Sequence, residues 1–283
     1  MKIARCGKGN SGLDSSSAGG VDVSNWQEAF QPGVDFQKSG DVDHRARTVT
    51  YNLQRQWDQF AQGYQTGLNN ADQNALMKEW DPRTGEVYGY VRTTNSFAIN
   101  KKLYDPNNDG KTDRQIFVQG AQRGHNGMKD LRTVQTLDRA IDTHTTAANG
   151  IYTRFCTPNA LRATFGLSAA QMQKLQTAAS MTPAQLRTLN RAFNGKISFS
   201  KAYTSTSANR SMNAFGNPNL SHSKGMIFER KLYIPQGTKA YASQRNAQES
   251  EVIFGRRLQT RVMGITVNTD GHIVIHEMFD GYK

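Results

Sequence analysis

The chain has 283 residues, 36% of them hydrophobic, a mean hydropathy of −0.68 and a formal net charge of +12, from 35 Lys and Arg against 23 Asp and Glu. No run approaches the roughly 20 consecutive apolar residues of a bilayer-spanning helix, so a soluble protein is expected, and the basic excess favours acidic partners: nucleic acid, an anionic surface, an acidic protein face or the pyrophosphate of a dinucleotide. Two cysteines, Cys6 and Cys156, are too few for a disulfide scaffold.

From Met1 to Arg47 the sequence is rich in Ser, Gly, Asp and Gln without a sustained apolar period, which predicts an irregular lead-in with one short helix around Val23 to Phe30. Met1 to Gly12 is polar and basic, with no apolar core of a secretory signal. The Ser/Gly-rich stretch from Gly7 to Gly20 suits a type III or type VI export leader, a virion-packaging tail or a flexible terminus. Leu53, Trp57, Phe60 and Tyr64 then recur every three or four residues, the stripe of an amphipathic helix, and Asn70 to Trp80 supply a second before Pro82 and Gly85 break the pattern.

Asp105, Asn107 and Asp109, followed by Gly110, copy the opening of a calcium-binding loop. The twelfth position is Ile116 rather than Glu, and Pro106 interrupts the loop, so the reading is a polar turn. Asp130 to Thr143 form a helix with Leu131, Val134, Leu137 and Ile141 on one face. Ser168 with Gln171 and Thr182 with Gln185 match capping boxes, which start helices over 169–179 and 183–193, the second stopped by Gly195. Strands follow at Ile197 to Ser205, Met226 to Ile234, Lys239 to Ser243, Glu251 to Gly255, Arg261 to Val267 and Ile273 to Phe279. Helices first and strands later predict an α+β fold. Residues 1–47 read as a flexible tail and 48–283 as one folded domain, with a helical part over 48–148 and a strand-rich part over 149–283.

Three segments carry chemistry. Ile151 to Phe155 hold Arg154 within a short β-prone run, Tyr203 to Ser207 end another with Ser205, Thr206 and Ser207, and Gln248 to Phe254 put Glu249 and Glu251 at the mouth of an apolar strand. On a strand, alternate residues share a face, so the two carboxylates are expected in one cleft while Val252 and Phe254 face the core. Carboxylates that close push their pKa values apart, which suits one for charge stabilisation and the other for proton transfer.

In this order, arginine strand, Ser-Thr-Ser strand and Glu-x-Glu strand, the chain resembles the Arg–Ser–Glu class of mono-ADP-ribosyltransferases: bacterial exotoxins, related effectors and phage enzymes. Phe97 to Leu103 and Val134 to Ile141 are similar to the helical segments that precede the arginine strand there, so the resemblance spans roughly residues 50 to 283. It implies a helical N-terminal half followed by two packed, mainly antiparallel sheets, with NAD as substrate. Glu251 would stabilise the ribosyl cation, Arg154 would contact NAD phosphate, Ser205 would position Glu251, and Thr206 and Ser207 would support the cleft. Phe215, in the segment from Arg210 to Asn219, is a candidate to stack on nicotinamide.

Glu two residues before the catalytic Glu goes with arginine acceptors in that class, which gives Glu249 the task of binding and deprotonating a guanidinium. Tyr241 stands where the class often has an aromatic that touches the target. The partner so implied is a target protein with an arginine acceptor, acidic or associated with nucleic acid, or nucleic acid itself as acceptor. The enzyme would reach the cytoplasm of a target cell by a route other than the general secretory pathway, or with a phage. The alternative is an interaction or virion protein that keeps the scaffold with an idle cleft. No His, Cys, Asp and Glu set has zinc spacing, and His272 and His276 lack the His-Glu-x-x-His order, so metal-independent chemistry is expected.

Overall fold

The computed structural model describes residues 30–32, 42–43, 48–49, 51–91, 93–208, 228–247, 250–268 and 271–283. The helix expected around Val23 to Phe30, Phe30 itself excepted, lies outside the described residues, as do the loop from Arg210 to Asn219 with Phe215, and Glu249. Within the lead-in, Gln31–Pro32 (β1) pair in parallel with residues 150–151, Phe30 packs edge-on against Tyr233, and Val42–Asp43 (β2) pair with Thr48–Val49 (β3).

The amphipathic stripe forms helix α1, Tyr51–Gln62, which buries Trp57 and Ala61; the Trp57 indole N–H donates to the Ser243 carbonyl at 2.7 Å. Helix α2, Asn70–Leu76, opens on Asn69, whose side chain accepts from the Asp72 N–H. It ends four residues short of the expected Trp80, because Glu79–Trp80 (β4) pair instead with Val87–Tyr88 (β5) around the turn made by Pro82 and Gly85. Helix α3 spans Asn95–Tyr104 and α4 spans Gly127–Thr143, with Leu131, Val134, Leu137 and Ile141 buried on one face as the period predicts.

Strand β6, Gly150–Cys156, leads into helix α5, Pro158–Phe165, which the sequence reading omitted although Thr157 caps it and Gly166, at φ 59, ends it. Helices α6, Ala169–Gln176, and α7, Pro183–Phe193, both open on the capping boxes read from the sequence. The run expected as one strand over Ile197 to Ser205 divides into β7, Ile197–Ser200, and β8, Thr204–Ser207. Between them Tyr203 turns inward, and its hydroxyl donates to Asp138 at 2.7 Å and to the Val134 carbonyl at 3.2 Å. The remaining strands are β9, Phe228–Ile234; β10, Ala240–Ala242; β11, Glu251–Phe254; β12, Leu258–Val267; and β13, Ile273–Tyr282.

The α+β class holds. Hydrogen bonding gives the order β10-β11-β8-β6-β9-β13-β12-β7, antiparallel apart from β9–β13 and the added β1–β6 pair. The path narrows at one place: β6 meets β8 at the single pair Thr153 and Ser207, while its ladder with β9 runs from Gly150 to Cys156. Two apolar cores lie on either side of that junction. One packs α1 to α4 against β6, β9, β10 and β11, and the other packs α5 to α7 against β9, β12 and β13. Each large apolar side chain sealed in them contributes about 1.5–3 kcal/mol.

In the second part a buried ion pair clamps four strands. Arg230 on β9 makes two 2.6 Å bonds to Glu277 on β13, and the Ser198 and Thr260 hydroxyls complete the cluster from β7 and β12. Removing either charged partner leaves the other buried and unpaired, which is strongly destabilising.

Candidate active site

The three chemistry-bearing segments are neighbours: β11, β8 and β6 lie side by side at the narrow junction. Register puts Ser207 directly across from Glu251 and Ser205 across from Ile253, so Glu251, Ser207 and Ser205 project from one face of this pair of strands. Thr206 turns to the opposite face, where its hydroxyl donates to the Val252 carbonyl at 2.8 Å and pins β8 to β11. Arg154 Nη1 donates to the Ser205 carbonyl at 3.0 Å. That bond uses one of the five guanidinium N–H groups. Arg154 and Ser205 are half-buried, and Glu251 retains 9% exposure at the start of its strand.

The strand begins at Glu251, and Ser250 before it holds a left-handed φ of 46. Its N–H and hydroxyl both donate to the Ala247 carbonyl, and its own carbonyl accepts from the Ala208 N–H at 2.9 Å. The strand alternation therefore starts at Glu251. Tyr241 departs from expectation. It lies in β10 with 1% exposure, under α1 and the chain that follows it, where Gln65 donates to the Ala242 carbonyl at 2.7 Å. Buried there, it does not present its ring to a partner.

Two residues that the sequence reading gave no role join the cluster. The Tyr90 hydroxyl accepts from Asn100 Nδ2 at 2.9 Å and stands 3.4 Å from the Ser205 hydroxyl. Burial pushes the Tyr90 phenol up to about 12, and the nearby Glu251 carboxylate adds to the rise while Ser205, Asn100 and Arg154 oppose it. The ring thus sits within electrostatic reach of both Arg154 and Glu251 and stays protonated at neutral pH. Asn100 Oδ1 is buried without a hydrogen-bond partner among the described residues, an acceptor in reserve beside the cluster. A polar Asn beside the buried Ile99, and a tyrosine directly after a glycine, were the signals in the sequence.

Gly89 explains how Tyr90 gets there. At φ 88 it lets the chain pass so close to α2 that an added Cβ would collide with the Met77 carbonyl oxygen. The next two N–H groups, of Tyr90 and Val91, both bond the Leu76 carbonyl.

A sequence model described as ADP-ribosyltransferase exoenzyme matches residues 81–279. The chain belongs to this family. No curated protein matches the exoenzyme in sequence. Among solved structures it is similar to C3stau2 from S. aureus with NAD, at 20% identity and a TM-score of 0.55 over 83% of this chain and 98% of that one. The Clostridium limosum C3 exoenzyme aligns at 18% identity and a TM-score of 0.54 over 90% of this chain and 100% of that one. The Paenibacillus larvae toxin Plx2a aligns at 13% and 0.52 over 88% and 100%. At these identities the likeness is one of fold.

The calcium-like loop of the exoenzyme is built as an anchor. The Asp105 side chain accepts from the Asn107 N–H, Asp109 pairs with Lys201 at 2.8 Å, and Asp113 makes two bonds to Arg256. No cluster of three or more His, Cys, Asp or Glu that could hold a metal occurs among the described residues, and no helix among them is long and apolar enough to cross a membrane.

Proposed function

We propose that this exoenzyme cleaves NAD between nicotinamide and ribose and transfers ADP-ribose to an arginine of a target protein. The observation that carries this reading is the convergence of Arg154, Ser205 and Glu251 from three adjacent strands, with Tyr90 and Asn100 closing the cluster. The catalytic domain is residues 48–283, with residues 1–47 as a leading tail.

Breaking the glycosidic bond sends its electron pair to the nicotinamide nitrogen and leaves an oxocarbenium-like ribosyl cation. Glu251, largely buried at the start of β11, supplies the negative charge that stabilises that cation. Arg154 holds a phosphate with the N–H groups its bond to Ser205 leaves over, and that same bond fixes the guanidinium to the serine strand. Ser205, Thr206 and Ser207 set the position of Glu251 through the β8–β11 ladder. Phe215, outside the described residues, offers a ring to nicotinamide. The acceptor guanidinium attacks the ribose carbon, and its proton passes to Glu249.

Delivery by a route other than the general secretory pathway, or with a phage, would bring the enzyme to the cytoplasm where NAD and the target protein meet. Release of nicotinamide from NAD by the purified chain, and its loss in Arg154→Ala, test the reading. A wild-type chain that releases none with lysate proteins present would overturn it.

A further inference from the structure

The end of β7, β12 and β13 remote from their turns carries a row of cations that the chemistry above does not use. Ser200, Leu258 and Tyr282 stand in register across the three strands, and one step further on come Lys201, Arg257 and Lys283. Backbone bonds hold that step in place: the Arg257 N–H donates to the Ser200 carbonyl at 2.7 Å, and the Lys283 N–H donates to the Arg257 carbonyl at 3.1 Å. Neighbouring strands lie about 4.8 Å apart, so the three backbones fall within about 10 Å. Like charges directly opposite one another repel.

The row borders a groove of about 940 Å³ that Lys111 also lines. Its four lining carboxylates are all taken: Asp109 by Lys201, Asp142 by Lys239, and Asp113 and Asp138 by Arg256. Lys111, Arg257 and Lys283 have no acidic partner among the described residues; Lys111 bonds only the Asn108 side chain and Lys283 lies over the Phe199 ring. Arg257 is exposed and holds a left-handed φ of 69, a conformation that costs a non-glycine residue free energy. Strain kept at an exposed arginine in a row of like charges points to a task for that side chain.

We propose that Lys111, Lys201, Arg257 and Lys283 form an exosite for an acidic segment of the protein acceptor. Charge complementarity selects an anion, and the open groove has room for a chain of several residues. Two carboxylates at alternate positions of an extended segment, about 6.8 Å apart, fall within the span of the row. Gly255, which lines the groove, directly follows β11 and lies four residues, roughly 13 Å of extended chain, from Glu251, so one bound protein can reach both. The inference rests on the transferase reading for the identity of the partner, and not for the binding itself.

The test uses the full chain and a fluorescein-labelled oligoglutamate as probe, read by anisotropy at low salt. Lys111→Ala/Arg257→Gly/Lys283→Ala removes the unpaired charges, and glycine accepts the backbone at 257 without strain, so the fold is retained. A control of equal net charge, Lys174→Ala/Arg187→Ala/Arg191→Ala, alters exposed positions on α6 and α7. The groove variant is expected to bind the probe at least about tenfold more weakly than wild type, with the control unchanged. Nicotinamide release in the absence of acceptor stays at the wild-type rate in both, while modification of acceptor proteins falls in the groove variant alone. Equal weakening by both triple variants, or preference for an oligonucleotide of the same charge over oligoglutamate, overturns the exosite. A wild-type chain that binds the probe yet releases no nicotinamide overturns the transferase reading and leaves the acidic-segment site standing.

Discussion

The Tyr90 hydroxyl lies 3.4 Å from the Ser205 hydroxyl and takes a second bond, at 2.9 Å, from Asn100. A helix asparagine and a strand serine thus meet at one buried phenol. The longer contact is weak by itself, yet removing the phenol oxygen strands both donors in a buried site. Tyr90→Phe is expected to lower the rate constant for nicotinamide release roughly fivefold, corresponding to about 1 kcal/mol, and the stranded donors lower the thermal midpoint by a few degrees as well. Steady-state kinetics with NAD check it, and an unaltered rate would show that Tyr90 does not position Ser205.

Gly89 and Gly67 both adopt left-handed backbone, but only Gly89 is crowded. An alanine at 67 meets open space and bears about 1 kcal/mol of backbone cost, whereas at 89 it also drives a methyl into the Met77 carbonyl. Gly89→Ala should therefore cost more than about 3 kcal/mol and carry Tyr90 away from Ser205. Urea denaturation of the two variants, side by side, measures the difference; equal losses would refute the close-approach argument.

The elements with strong local signals were legible in the sequence: both capping boxes start helices, and the apolar stripe of α4 faces the core. The segments carrying Arg154, Ser205 and Glu251 also read as strands, and the sheet makes them neighbours. What was not legible depends on tertiary contacts. The inward turn of Tyr203 onto Asp138 divides a run that reads as one strand, and the burial of Tyr241 under α1 follows from packing its sequence does not encode locally. The left-handed Ser250 just before Glu251 has no local sequence signal. Tyr90 and Asn100 were missed because a polar residue in a buried site looks like a surface residue until the fold encloses it.

His276 is enclosed between the Tyr233 hydroxyl at 2.9 Å and the Thr266 hydroxyl at 2.9 Å. Burial, with some help from Lys231, holds the imidazole down at about 3, against about 6.5 in the unfolded chain. Between those values the unfolded chain binds a proton that the folded one refuses. The stability so contributed is full above pH 6.5 and declines as pH falls towards 3, by about 2–3 kcal/mol at pH 4.5. The stability gap between wild type and His276→Gln should shrink by that amount from pH 7 to pH 4.5 in urea titrations. Parallel pH profiles would mean that His276 is not the group responsible.

The two carboxylates of the Glu-x-Glu segment should separate by reaction. Glu251 opens the strand beside Ser207, and in the proposed reaction it stabilises a cation through which both hydrolysis and transfer must pass, so Glu251→Gln should cost both by about 2 kcal/mol or more, some thirtyfold in rate. In the proposed transfer Glu249 serves only the incoming guanidinium, whose pKa above about 12 demands a base at the moment of attack. Water makes no such demand. Glu249→Gln is therefore expected to abolish ADP-ribosylation of arginine while most NAD hydrolysis survives. Parallel assays of nicotinamide release and of label transferred to protein decide the matter: equal impairment of hydrolysis by the two substitutions, or arginine transfer at the wild-type rate in Glu249→Gln, would remove the division of labour and with it the case for an arginine acceptor.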